Sequence, residues 1–155
     1  MTVAVRDDFL TMPGHLLRRC HQIGVAVFLD QCRGHDLTPL QFGALAALER
    51  FGAMDQASLG GVTALDRTTI LVVLTNLEKR GLITRRKSPK DKRAKLVEIT
   101  KAGHALVAEA LADVRLVQER LLAPLSARER TQLVALLTKI ALQNNALSRA
   151  PHRLP

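Results

Sequence analysis

A mostly α-helical chain with one small β-hairpin is the fold class this sequence predicts, on three observations. Apolar residues recur at helical spacing along most of its 155 residues, N-cap and capping-box signals repeat, and only one short stretch alternates with period two. With 47% hydrophobic residues, only 6 Pro and 9 Gly, and no low-complexity tract, the composition is that of a folded domain. No Trp, no Tyr and 4 Phe predict an aliphatic core. The abundance of Ala and Leu favours helix, because these side chains lose little rotamer freedom there.

Leu16, Cys20, Ile23 and Val27 keep helical spacing, and Leu17, Gly24 and Phe28 widen the stripe, which predicts a largely buried helix over about 14–33. Gly34 stops it. Thr38 as N-cap, Pro39 at the first helical position and Gln41 completing a capping box start a second helix that runs to about Arg50. After Phe51-Gly52, residues 55–60 suffice for one or two helical turns, although their glycines weaken the pattern. Asp66 is placed to cap a further helix through Lys79, its carboxylate accepting from the N–H of Thr68 or Thr69. Ile70, Val73, Leu74 and Leu77 form the inward face of that helix.

Gly81 ends it as a left-handed cap, and Leu82-Ile83-Thr84-Arg85-Arg86 reads as a strand. Ser88-Pro89-Lys90-Asp91-Lys92-Arg93 has turn chemistry, and Lys95-Leu96-Val97-Glu98-Ile99-Thr100 alternates polar and apolar, so the pair predicts a basic two-stranded hairpin. Leu106, Ala110, Val114, Val117 and Leu121 restore helical spacing over 101–122. Pro124 closes this long helix, and Ser126 with Glu129 opens a last one that fades near Leu147, leaving 148–155 as a loose tail. The organisation expected is an N-terminal dimerisation helix over 1–36, a DNA-binding unit over 37–100 and C-terminal dimerisation helices with the tail over 101–155. The apolar first and last helices exceed what so small a central unit can cover, which predicts a homodimer.

The formal charge of +9 is unevenly spread. Between Asp66 and Lys101 there are 11 Lys and Arg against 4 acids, whereas the rest of the chain has 12 against 10. The basic character therefore sits on one segment, as expected for a partner that is a polyanion. Short helix, turn, capped helix, glycine, basic hairpin is the order of a winged helix-turn-helix. A capped helix with one apolar face docks on the domain and presents its other face to a major groove about 12 Å wide. Thr68, Thr69, Val72, Thr75, Asn76 and Lys79 supply that face. The hydroxyls and amide suit base edges or phosphates, and Val72 suits a thymine methyl. From the hairpin, Arg85, Arg86, Lys90, Lys92, Arg93 and Lys95 can reach the backbone or an adjacent minor groove.

Several of these strings resemble the MarR family of bacterial transcriptional regulators: Leu65-Asp66-Arg67-Thr68-Thr69, Leu77-Glu78-Lys79-Arg80-Gly81-Leu82-Ile83, Asp91-Lys92-Arg93, and Leu96-Val97-Glu98-Ile99-Thr100-Lys101-Ala102-Gly103. The motif resemblance extends from about Leu37 to Leu106, and the helix order matches over nearly the whole chain. It implies a homodimer whose first and last helices interlock, two winged domains reading a palindromic operator, and a small ligand or oxidant that shifts their spacing. By position it implies that Asp91 braces the wing, that Arg93 enters the minor groove at its tip, and that Arg67, Thr68 and Thr69 stand at the start of the recognition helix, the one capped by Asp66. Taken alone, Asp91 is an ordinary turn aspartate. Leu71, Val72 and Val73 stand where relatives are often polar or basic, so specificity is expected to lean on the helix start and the wing.

The resemblance also implies an effector site near the dimer interface, where aromatic carboxylates and their thioesters are frequent ligands. Met12-Pro13-Gly14-His15-Leu16-Leu17-Arg18-Arg19 resembles relatives that control aromatic-compound breakdown, making His15, Arg18 and Arg19 the candidate polar contacts. Surface ion pairs on a dimerisation helix are the competing explanation and the commoner fate of such cations.

An enzyme is not expected: no nucleophile–base arrangement, phosphate loop or metal-ligand spacing emerges, and His15, His21, His35, His104 and His152 are scattered. No cofactor or metal is expected. Cys20 and Cys32 read as buried thiols. No leader and no apolar run near the ~20 residues of a membrane span are present, which predicts a cytoplasmic protein. The competing function is a basic nucleic-acid-binding or helical interaction protein without sequence preference.

Overall fold

A computed structural model describes residues 9–89 and 95–155. The wing-tip positions Lys90, Asp91, Lys92 and Arg93 lie outside the described residues. The helices are α1 (Pro13–Gln31), α2 (Pro39–Phe51), α3 (Gln56–Thr63), α4 (Arg67–Lys79), α5 (Lys101–Leu122) and α6 (Ala127–Gln143), with short strands β1 (Met54–Asp55), β2 (Ile83–Lys87) and β3 (Lys95–Ile99). The mostly α winged helix-turn-helix architecture expected from the sequence is present.

Local chemistry sets the boundaries. Thr38 and Gln41 form the reciprocal capping box, with Gln41 N–H donating to Thr38 Oγ1 at 3.2 Å and Thr38 N–H to Gln41 Oε1 at 3.0 Å. Asp66 accepts from the N–H of Thr69 at 2.9 Å, and Ser126 and Glu129 repeat the box at the start of α6. Gly81 turns the chain from α4 into β2 at φ +69°, a left-handed conformation that favours glycine.

The sheet departs from expectation. It has three antiparallel strands in the order β1-β3-β2, with Met54 opposite Val97 on one side of β3 and Arg85 opposite Val97 on the other. The hairpin stem is thereby joined to the start of α3, whose N-cap Asp55 lies in β1 and accepts from Ser58 N–H at 2.9 Å. Leu45 and Leu48 of α2, Leu59 of α3, Ile70, Leu74 and Leu77 of α4, Ile83 of β2 and Val97 of β3 form one core and are all but inaccessible. Burying such aliphatic side chains is the main force holding the recognition helix at a fixed angle to the wing.

Phe28 of α1 and Val107, Ala110 and Val117 of α5 extend this core, and beyond them many apolar residues of the outer helices face outward. Only Phe28 of α1 is buried and no residue of α6 is, correcting the expectation of a largely buried first helix. Cys32 is buried, its thiol pushed up by burial and then by the Asp113 charge, whereas Cys20 is exposed. The stripe that implied burial is real, but among the described residues only its C-terminal part is covered, with Phe28 buried and Gly24 and Val27 half-buried. α1 and α5 are tied by Asp113, which accepts from Gln31 Nε2 at 2.8 Å and bonds His35 Nε2 at 2.8 Å. Those bonds hold its carboxyl below the usual range, so their stabilising contribution is present above the ordinary carboxylate pKa and lost as pH falls through the lowered one. No single helix among the described residues is long and apolar enough to cross a membrane.

Candidate nucleic-acid interface

The buried face of α4 (Ile70, Val73, Leu74, Leu77) decides which side chains are offered outward. At about 100° per residue, Thr68, Val72, Thr75 and Lys79 project opposite that face. Thr68 and Lys79 are exposed, Val72 is 57% exposed and Thr75 is half-buried. Arg67 and Leu71 turn toward the wing, while Thr69 and Asn76 lie on the other flank, Thr69 half-buried and Asn76 exposed. The Asp66 carboxyl, which starts the helix, sits below its ordinary range because of hydrogen bonds from the Thr69 backbone and hydroxyl, and then from Arg149.

On the wing the basic residues divide into two sets. Arg85 is drawn back onto Glu78 of α4, its Nε donating at 2.9 Å and a terminal nitrogen also bonding the same carboxylate oxygen, and only 13% of its side chain is accessible. That guanidinium holds the Glu78 carboxyl below its usual value. Arg85 therefore ties β2 to the recognition helix. Arg86 is more than half exposed, its long contact to Glu98 at 3.4 Å being of the kind that exchanges readily with water, and Lys95 is exposed. Arg85→Ala is expected to lower the thermal midpoint without altering the salt dependence of DNA binding. Arg86→Ala should reduce that log–log salt slope by about 2 per dimer, one phosphate contact per protomer; equal slopes for the two variants would contradict this division.

Two hollows flank α4. One of about 690 Å³ is lined by Asp66, Arg67, Leu71, Arg85, Lys95 and residues of the C-terminal segment. The other, about 500 Å³, lies where the end of α1 and the start of α2 meet Asn76, Lys79 and Arg80. Arg80 donates to the carbonyls of Asp36 and, at 3.2 Å, His35, linking the end of α4 to the turn between α1 and α2.

The residues expected to contact an effector lie on the first turns of α1. His15 is half-buried, packs at a tilt against Phe9 with ring centroids 4.5 Å apart, and its buried Nδ1 has no hydrogen-bond partner among the described residues. Arg18 donates to Gln22 at 3.1 Å, and Arg19 is exposed. Among the described residues no cluster of His, Cys, Asp or Glu could hold a metal ion.

Residues 37–95 match the MarR family model. The HTH-type transcriptional repressor NicR of Pseudomonas putida is 35% identical over 86% of this chain and 84% of its own length. The chain belongs to the MarR family. Among solved structures, that of Bordetella bronchiseptica BpsR, described as showing regulation of DNA binding by 6-hydroxynicotinic acid, is 34% identical, covers 86% of this chain and 95% of its own, and superimposes with a TM-score of 0.82. The transcriptional repressor CouR bound to a 23-mer DNA duplex is 29% identical with a TM-score of 0.81, covering 86% and 95% of the two chains. The MarR family and these relatives are transcriptional regulators.

Sequence reasoning missed the Arg85–Glu78 pair and the approach of Arg149 and Arg153 to the helix-turn-helix. The first was legible in principle as opposite charges bracketing Gly81; the second had no sequence signal beyond a basic tail.

Proposed function

We propose that this chain is a repressor that binds a palindromic operator as a homodimer and is released by an aromatic carboxylic acid or its thioester. The observation that carries the reading is the outward face of α4, where Thr68, Val72, Thr75 and Lys79 stand opposite the buried stripe along a well-capped helix. Such a face can enter a major groove, with Arg67, Asn76 and Thr69 at its flanks and Arg86 and Lys95 reaching the backbone. Arg93 is assigned to the minor groove and Asp91 to bracing the wing. Palindromy would follow from the two-fold symmetry of the dimer.

The effector class is supported by the BpsR precedent and by the first turns of α1. An aromatic acid could stack against Phe9 and His15 and place its carboxylate near Arg18 or Arg19, giving the orphaned His15 Nδ1 a partner. Binding there would act on DNA by altering how far apart the dimer holds its recognition helices, through α1 and its link to Arg80.

The test is a titration of the purified protein on its own upstream intergenic DNA and on a scrambled duplex, with and without 6-hydroxynicotinic acid. Preference for the native duplex that is lost on adding the acid supports the reading. The His15→Ala chain is expected to bind DNA as before and to need at least about tenfold more acid for release, the scale of one lost charge-assisted hydrogen bond. Equal binding to both duplexes would leave a basic dimer without sequence preference.

A further inference from the structure

Residues 148–153 fold back onto the helix-turn-helix instead of forming the loose tail expected from the sequence. After α6 a 3-10 turn over Asn145–Leu147 reverses the chain, and Asn145 holds the reversal by donating to the His152 carbonyl at 2.9 Å and accepting from its N–H at 2.7 Å. Arg153 N–H then donates to the carbonyl of Gly61 in α3 at 2.8 Å. The approach is close: a Cβ on Gly61 would lie 3.2 Å from Arg153 Cβ, so the absence of a side chain there leaves room for the tail. Ala150 and Pro151 are half-buried, while the Arg149 side chain is 86% exposed and pairs with Asp66, the N-cap of the recognition helix, at 2.6 Å.

Two consequences follow for the charge beside α4. The carboxylate nearest the start of the recognition helix, which would repel a phosphate, is neutralised by Arg149. The hollow between helix-turn-helix, wing and tail collects Arg67, Lys95, Arg149 and Arg153, with Arg85 held by Glu78, while its carboxylates, Asp55 and Asp66, are engaged in capping α3 and α4. Arg67 belongs both to this hollow and to the recognition helix, so the cationic surface is continuous with the face assigned to DNA. An exposed ion pair such as Arg149–Asp66 is weak enough in water to yield to a phosphate.

We infer that residues 148–155 form a third element of the DNA interface, in which Arg149 and Arg153 bind backbone phosphates beside the recognition helix. The inference rests on the operator-binding reading above and adds affinity to it rather than base preference, because phosphate contacts carry no sequence information.

The test compares the full chain, the Arg149→Gln/Arg153→Gln double variant and a chain ending at Ser148 on native and scrambled duplexes from 50 to 300 mM salt. Both variants are expected to bind both duplexes more weakly, at least about tenfold at the low-salt end, with the log–log salt slope reduced by about 3–4 per dimer, two contacts from each protomer. Their ratio of native to scrambled affinity, dimerisation and thermal midpoint should stay as in the full chain. An unchanged slope overturns the inference, and so does tighter binding by the shortened chain, which would make the tail a cover over the interface. If the full chain binds both duplexes equally, the operator reading falls, and the slope comparison still decides whether the tail holds phosphates.

Discussion

The Leu137→Asp/Ile140→Asp chain is expected to sediment as a monomer at micromolar concentration and to hold operator DNA about 10²–10⁴ times more weakly, the factor by which joined binding modules exceed single ones. Val134, Leu136, Leu137, Ile140 and Leu142 of α6 are all at least 40% exposed within one chain, and Leu16, Leu17 and Ile23 of α1 and Leu116 of α5 add to the same kind of surface. A helix face with this many exposed aliphatic side chains marks an interaction surface. Carboxylates placed in it would have to be desolvated without partners, which association cannot compensate. The winged unit should remain folded, since the buried core draws on α1 to α5 and the sheet and takes nothing from α6. Circular dichroism would verify that while sedimentation reports the dimer. A chain that still dimerises and binds as before would show that the protomers join through another surface.

Capping is where sequence reading was most accurate, and the reason is range. The Thr38–Gln41 and Ser126–Glu129 boxes and the Asp66 cap each span three residues, so the whole interaction is written in one short string. The four residues buried along α4 were legible for the same reason, as a face repeated at helical spacing. What sequence could not show was set by partners distant in the chain. β1 is two residues long and is defined by β3 more than forty positions later, so it passed for part of a turn. Arg85 looked like any other wing cation until its accessible area and its Glu78 partner were known. Gly61 weakened the helix signal of α3, yet it serves the close approach of Arg153. The apolar stripe of α1 was read correctly as a stripe and wrongly as burial, because periodicity identifies a face and says nothing of whether the same chain covers it.

Gly103→Ala is expected to be the most destabilising single methyl in the molecule, because the atoms it meets are pinned. Gly103 lies in the first turn of α5, and a Cβ built there falls inside van der Waals contact with the carbonyl oxygen of Leu82 and 2.6 Å from Cγ1 of Ile99. The Leu82 carbonyl cannot swing aside: it accepts the N–H of Thr100 at 3.0 Å. Thr100 in turn donates its hydroxyl to the Gly81 carbonyl at 2.7 Å and accepts the Gly103 N–H at 3.1 Å, so one threonine closes the wing base and caps α5 together. Relief requires α5 to lift off the sheet, against an overpacking cost of about 3 kcal/mol or more, which corresponds to roughly 6–12 °C in the thermal midpoint of a chain this size. The control is Gly43→Ala in α2, where a Cβ meets nothing within 4 Å and the substitution should be neutral or stabilising, since alanine is the better helix former. Equal midpoints for the two variants would refute the pinned-carbonyl argument. The same geometry gives Gly103→Ala a functional effect, because α5 is the 22-residue helix that leads from the wing to α6 and packs along α1. Lifting its first turn changes the angle at which each winged unit hangs from the dimer, so operator affinity should fall at temperatures where the protein is still folded, and fall more than affinity for a scrambled duplex, which demands no fixed spacing.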